Sequence, residues 1–146
     1  MAQADIDAAM LAAALAEAEA GFAEGGFPVG AVLARGQTIL ARGRNLSAQT
    51  GDPTAHGEVV CLRAARESDF AATTLYTTLS PCIMCAGTVL WLGIPRVVIG
   101  DARNYTGNEP MLFRAGIDVI VRDDPACLEL FARYTAGGGA AVYLGN

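Results

Sequence analysis

The chain opens with apolar residues at helical spacing. Leu11, Leu15, Ala18 and Phe22 stand 4, 3 and 4 positions apart, one face of a 3.6-residue period. They predict a helix from about Ile6 to Phe22, and the alanines on its other faces favour the same state. Gly25 and Gly26 stop it. The pattern then changes to short apolar runs. Phe27 to Ala34 reads as a buried strand, Arg35-Gly36-Gln37 as a turn, and Thr38 to Arg42 as the returning strand of an antiparallel hairpin. Asn45 to Pro53 is polar and turn-rich, hence a loop. A second helix is predicted from about Thr54 to Glu67, and a β-branched, aromatic strand from Thr74 to Leu79. Ser80-Pro81 opens a third helix that ends near Gly93. Arg96 to Gly100 reads as a strand, Asn108 to Ala115 as a short helix and Asp118 to Val121 as a strand. Asp124-Pro125 caps a last helix to about Tyr134. Gly137 to Gly139 breaks it, and a short apolar tail runs to Asn146.

The resulting order is α-β-β-α-β-α-β-α-β-α. Strands that alternate with helices imply right-handed parallel crossovers, and the leading hairpin adds an antiparallel edge. The expected fold is α/β: a three-layer α/β/α sandwich around a mixed five-stranded sheet. One domain over residues 1–146 fits the chain length.

Composition narrows the function classes. Hydrophobic residues make up 53% and charged residues 17%, which excludes a disordered chain. No apolar run approaches the ~18 residues of a membrane span, so no membrane partner is expected. Ala8 to Ala16 is apolar, but no Lys or Arg precedes it and Glu17 and Glu19 follow, so it does not read as an export signal. Ten arginines, no lysine and fifteen acidic residues give a net charge of -5. The arginines are scattered, without the basic stripe of a phosphate-binding surface, so nucleic acid is not the expected partner. Four cysteines without an export signal point to the cytoplasm, and to free thiols or metal ligands instead of disulfides.

The candidate chemistry gathers at three places. His56 is the one histidine, Glu58 follows two residues later, and Pro81-Cys82-Ile83-Met84-Cys85 opens the next helix. Taken singly, each has an ordinary explanation: a structural histidine, a carboxylate at a helix N-terminus, a redox pair of thiols. Together they form a ligand set. Thiols spaced i, i+3 at a helix N-terminus share a face and have lowered pKa values, and one imidazole supplies a third ligand. Three protein ligands make an open zinc site with a position left for water, whose pKa zinc can bring to about 7. Glu58, beside the ligands but not one of them, is placed as the proton carrier. A structural zinc would want a fourth ligand, and none stands close in the motif. A structural zinc protein or a CxxC redox protein stays as the non-enzyme alternative. Cys61 and Cys127 read as small core residues, and Met84, Leu90 and Trp91 as core or subunit interface.

His56-Gly57-Glu58 with Pro81-Cys82-Ile83-Met84-Cys85 is the His-x-Glu and Pro-Cys-x-x-Cys signature of zinc-dependent base deaminases. Glu24 to Gly30, Gly43-Arg44-Asn45 and the run Thr73 to Gly100 extend the likeness almost to Asp124. The chain resembles the cytidine/deoxycytidylate deaminase superfamily, most nearly the fungal-type cytosine deaminases and their bacterial nucleobase deaminase relatives. That resemblance implies hydrolytic deamination of a free, cytosine-like nucleobase. It implies Zn2+ on His56, Cys82 and Cys85, with Glu58 catalytic. It further implies that Asn45 and the Gly57 N–H hold the ring carbonyl, that Val29 lines the pocket, that Tyr105 stacks on the base, and that the protein is a homodimer. Two departures bear on the substrate. Ala48 stands where those enzymes carry an aromatic, and no acidic side chain follows Glu129, where they carry one that grips the amino group. Tyr143 or Asn146 is then the candidate to close the pocket. Isocytosine, guanine-like or s-triazine rings become alternative substrates. A tRNA adenosine deaminase shares the motif, but its polyanionic substrate suits this acidic chain less well.

Overall fold

The structure, a computed structural model, describes residues 1–138; the tail candidates Tyr143 and Asn146 lie outside them. Five strands form one mixed sheet in the order β2-β1-β3-β4-β5. They are β1 (Gly30–Arg35), β2 (Thr38–Arg44), β3 (Thr74–Leu79), β4 (Arg96–Asp101) and β5 (Asp118–Val121). β1 runs antiparallel to both β2 and β3, whereas β3, β4 and β5 are parallel. The hairpin therefore forms the antiparallel edge, turning at Gly36, whose φ of +59° is the left-handed region glycine adopts readily.

Among the described residues six helices flank the sheet: α1 (Gln3–Ala23), α2 (Ser47–Thr50), α3 (Gly57–Ala65), α4 (Ile83–Leu92), α5 (Glu109–Arg114) and α6 (Pro125–Ala136). Successive strand residues point to opposite faces, and both faces are apolar. Leu33, Leu75, Val97 and Ile99 pack with Cys61 and Leu62 of α3, Val89 of α4 and Leu112 of α5. Their neighbours Val32, Ala34, Tyr76 and Val98 pack with Met10 and Ala14 of α1. The chain thus forms the expected three-layer α/β/α sandwich. Gly43 brings α3 close to β2, because a Cβ there would lie 2.4 Å from the Cys61 backbone nitrogen.

Several boundaries differ from the sequence reading. Phe27 to Val29 precede β1 instead of belonging to it, with the Val29 N–H bonded to the Phe27 carbonyl at 2.9 Å. The predicted loop holds the short α2. The second predicted helix starts at Gly57, not Thr54: His56 is extended, and the Ala55 carbonyl accepts the Leu46 N–H at 2.9 Å instead of an amide one turn further along a helix. Trp91 does not belong to the core, since it is 87% exposed on α4, while Leu90 packs partly against the core. Cys61 and Cys127 are buried, as expected of small core residues; burial pushes the Cys61 thiol up to about 12.

One polar cluster fixes α1 to the sheet. Asp7, only 3% exposed, accepts from Arg96 Nη1 at 2.8 Å and Nη2 at 2.7 Å, from the Tyr76 hydroxyl at 2.8 Å and from Gln3 at 2.9 Å. Burial opposes ionisation of Asp7, but the Arg96, Gln3 and Tyr76 hydrogen bonds outweigh it and hold the carboxyl at about 2, below the usual 3.8. A carboxyl depressed in the folded state adds stability above its unfolded pKa and loses it as the pH falls through the folded one. The Asp7 contribution is therefore full above about pH 4 and lost toward pH 2. Removing one partner of a buried pair costs about 3–5 kcal/mol. Asp7→Ala is expected to lose about 3 kcal/mol in urea unfolding at pH 7, and most of that difference should vanish near pH 2. A loss under about 1 kcal/mol at pH 7 would show that Arg96 finds another partner.

Candidate active site

The three candidate ligands sit at the N-termini of two helices. His56 caps α3 in an extended conformation, φ −71° and ψ 154°. Cys82 caps α4 likewise, φ −69° and ψ 177°, and Cys85 lies in the first turn of that helix. An extended cap directs its side chain off the helix end, and here the two ends meet. His56 Nδ1 lies 3.4 Å from Cys82 Sγ and 3.5 Å from Cys85 Sγ. All three ligand atoms lie within 4.8 Å of one another, and no fourth His, Cys, Asp or Glu among the described residues joins the group.

These distances fit zinc. With Zn–S about 2.3 Å and Zn–N about 2.0–2.1 Å, a tetrahedral site separates nitrogen from sulfur by about 3.5 Å. Electrostatics favour a cation as well. A hydrogen bond from Cys85 holds the Cys82 thiol down at about 4; burial works against this, and His56 supports it. The Cys85 thiol is pushed up, first by donating that hydrogen bond and then by burial and the Glu58 charge. Burial disfavours charge on His56, yet the neighbouring Cys82 raises its pKa. The two thiols therefore share one proton, which a metal would displace.

Glu58 is completely buried in the first turn of α3, and its carboxylate is within hydrogen-bonding reach of the Cys85 thiol. The candidate substrate residues converge beside it. The Val29 carbonyl accepts the Asn45 N–H at 2.9 Å. Gly57 packs against the same carbonyl, where an added Cβ would stand 3.1 Å away, and 3.4 Å from the Asn45 nitrogen. Asn45 is buried and its Oδ1 accepts the Ser47 N–H at 2.9 Å, which fixes the orientation of its amide. Tyr105 packs on Val29, Leu79 and Phe131, and its phenol pKa is raised by burial and by Cys82, Cys85 and Glu58.

Phe131 and Tyr134 went unassigned in the sequence. They stand on α6, their rings 5.4 Å apart, and Tyr134 also meets Phe27 edge-on at 5.9 Å. The i, i+3 aromatic pair was the available signal; the sequence did not show which strand end it faces. Ala48 lies on α2 and is exposed.

Comparison with known proteins agrees with this geometry. A family model described as the cytidine and deoxycytidylate deaminase zinc-binding region matches residues 4–101, a span that includes His56, Glu58, Cys82 and Cys85. The chain belongs to the cytidine and deoxycytidylate deaminase family. It is 37% identical over 128 residues to a cytosine deaminase of Candida albicans, covering 85% of each chain. It is 41% identical over 108 residues to a tRNA-specific adenosine deaminase of Haemophilus influenzae, covering 70% of this chain and 62% of that one. The solved guanine deaminase of Nitrosomonas europaea superposes with a TM-score of 0.73 at 26% identity, covering 88% of this chain and 84% of that one. In this family the His and Cys ligand types of the trio serve a hydrolytic zinc centre. No helix among the described residues is long and apolar enough to cross a membrane.

The thiol pair gives a direct test. In the metal-free protein, ultraviolet thiolate absorbance equal to one cysteine is expected across pH 5–8 and should disappear in Cys82→Ser. An ordinary thiol ionises near 8.5, so absorbance that rises only above pH 8 would contradict the shared-proton arrangement.

Proposed function

We propose that the protein is a zinc-dependent hydrolytic deaminase of a free amino-substituted nucleobase, with cytosine the foremost substrate. The observation that carries this is the convergence of Val29, Asn45, Gly57 and Tyr105 on the side of Glu58 and the ligand trio. The apolar and aromatic surface of Val29, Leu79, Phe131 and Tyr105 suits a flat, uncharged ring. The likeness to a cytosine deaminase over most of both chains supports the choice of base.

His56, Cys82 and Cys85 are the residues that hold zinc. Bound zinc supplies Lewis acidity that brings a water's pKa to about 7. Asn45 Nδ2 and the Gly57 N–H donate to the ring carbonyl, which places the amino-bearing carbon at the metal side of the pocket. Tyr105 and Phe131 hold the ring plane and exclude bulk water. Glu58 takes a proton from the attacking water and delivers it to the ring nitrogen beside the amino-bearing carbon. It then carries the second proton to the departing amine. For cytosine the sum is cytosine plus water giving uracil plus ammonia.

Two further features support a small substrate. Arg35, Arg44, Arg63, Arg96 and Arg103, five of the ten arginines, are engaged in ion pairs with carboxylates. That leaves little basic surface for a polyanion such as tRNA. The reduced thiols of the ligand set suit a cytoplasmic setting. A homodimer belongs to the same proposal: Ile83 and Trp91 on α4 are 64% and 87% exposed, an apolar face that a second copy would cover. A guanine-like base is the second reading, favoured by the solved guanine deaminase.

Elemental analysis is expected to find one zinc per chain and to find little in Cys85→Ala; undiminished zinc in that variant would overturn the ligand assignment. Glu58→Gln is expected to keep fold and zinc while losing at least 10²–10⁴-fold in turnover, the usual span of general acid–base catalysis. A tenth of the wild-type rate in that variant would remove Glu58 from the proton path. Ammonia release across cytosine, isocytosine, guanine, an aminotriazine, cytidine and tRNA decides the substrate. Cytosine is expected to give the highest kcat/KM, and cytidine or tRNA surpassing every free base would contradict the proposal.

A further inference from the structure

The loop that carries Tyr105, residues 102–108, is tied down at both ends. At its start, the Asp101 carboxylate at the end of β4 is completely buried. It accepts the Arg103 N–H at 2.8 Å, the Asn104 N–H at 3.0 Å and Asn104 Nδ2 at 2.8 Å. At its far end the loop closes on Ser80 and Pro81, the two residues before the candidate ligand Cys82. Ser80 is completely buried, and its hydroxyl donates to the Glu109 carboxylate while accepting the Gly107 N–H at 3.0 Å. Asn108 Nδ2 donates to the Pro81 carbonyl at 3.4 Å. The Ser80 N–H donates to the Asp101 carbonyl at 2.8 Å, so Ser80 touches both ends of the loop.

The approach is so close that only glycine fits at 107. A Cβ there would lie 2.3 Å from the Pro81 carbonyl oxygen and 2.5 Å from Ser80 Oγ. Ser80 has one hydroxyl proton to give, and Glu109 takes it. The hydroxyl lone pairs are then turned toward the Gly107 N–H. A hydrogen bond to a carboxylate is about twice as strong as a neutral one, so Glu109 sets the orientation on which the Gly107 contact depends.

We propose that Glu109 and Ser80 are positioning residues: their hydrogen bond latches the Tyr105 loop to the N-terminus of α4 and so fixes the distance between the stacking wall and the zinc ligands. Neither side chain has a part in the chemical step. Because the inference rests on Tyr105 forming a wall of the base pocket, loosening the latch weakens base binding more than it slows turnover.

The test uses Ser80→Ala, Glu109→Ala and Glu109→Gln in the zinc-loaded protein, with melting temperature and zinc content confirming that each folds and keeps its metal. Two readouts are taken. Amide hydrogen exchange over residues 102–108 judges the latch without any substrate. Both alanine variants are expected to exchange at least about tenfold faster there, with the strands unchanged. The glutamine variant, whose amide oxygen still accepts from Ser80, should retain most of the protection. Steady-state kinetics on the best base judge the consequence: KM about tenfold higher in the alanine variants, kcat within threefold, and KM largely restored in Glu109→Gln. Wild-type exchange in both alanine variants would overturn the latch, as would a fall in kcat at unchanged KM. If no free base is turned over by the wild type, the substrate proposal fails, while the exchange data still decide on the latch. A melting temperature too low for exchange in Glu109→Ala would leave Ser80→Ala against Glu109→Gln as the deciding pair.

Discussion

The site depends on one constraint: the N-termini of α3 and α4 must meet beyond the sheet, with an extended residue at each end. His56 and Cys82 are those residues, and their side chains meet at 3.4 Å. Each is held in place by contacts outside the ligand set. The Ala55 carbonyl, bonded to the Leu46 N–H, is withheld from a helix running backwards through His56. Gly43 lets α3 settle against β2. Ser80, bonded to Asp101, sets where the chain leaves β3 for α4. Helix N-termini carry partial positive charge, which favours thiolate and carboxylate there. Cys82 and Glu58 both lie in such positions.

The ends of β3 and β4 supply the rest. In parallel sheets, sites form beyond the carboxyl ends of the strands, and here those ends lead to Cys82 and Tyr105. The antiparallel β1 contributes from its start, through Val29, and β2 from its end, through Asn45. Strand direction thus brings residues 29, 45, 57, 82 and 105 to one end of the sheet.

Most of this was legible in the sequence. The strands Thr74–Leu79 and Asp118–Val121 match to the residue, because β-branched runs there are bounded by turn residues on both sides. The grouping of the candidate metal trio was legible because its residues are close to unique in composition: one histidine and one Cys-x-x-Cys pair. What could not be read was set by tertiary contact. The Leu46–Ala55 backbone contact and the extended His56 shorten α3, and a contact between segments nine residues apart has no mark in the helical pattern. Trp91 reads in the sequence as core or subunit interface, and only the structure excludes the core, which Ala86 and Val89 fill from another face of α4. The surroundings of Phe131 and Tyr134 could not be read, since Val29 just before β1 and Leu79 at the end of β3 are far from α6 in the chain. The Ser80–Glu109 contact, 29 residues apart, had no local signature at all.

The most direct measurement of the central claim is X-ray absorption spectroscopy of the zinc-loaded protein. Two sulfur ligands at about 2.3 Å and one imidazole nitrogen at about 2.0–2.1 Å, with one further light-atom ligand that small anions exchange, are the expected result. Three or four sulfurs, or a shell closed to exchange, would contradict an open site built from His56, Cys82 and Cys85.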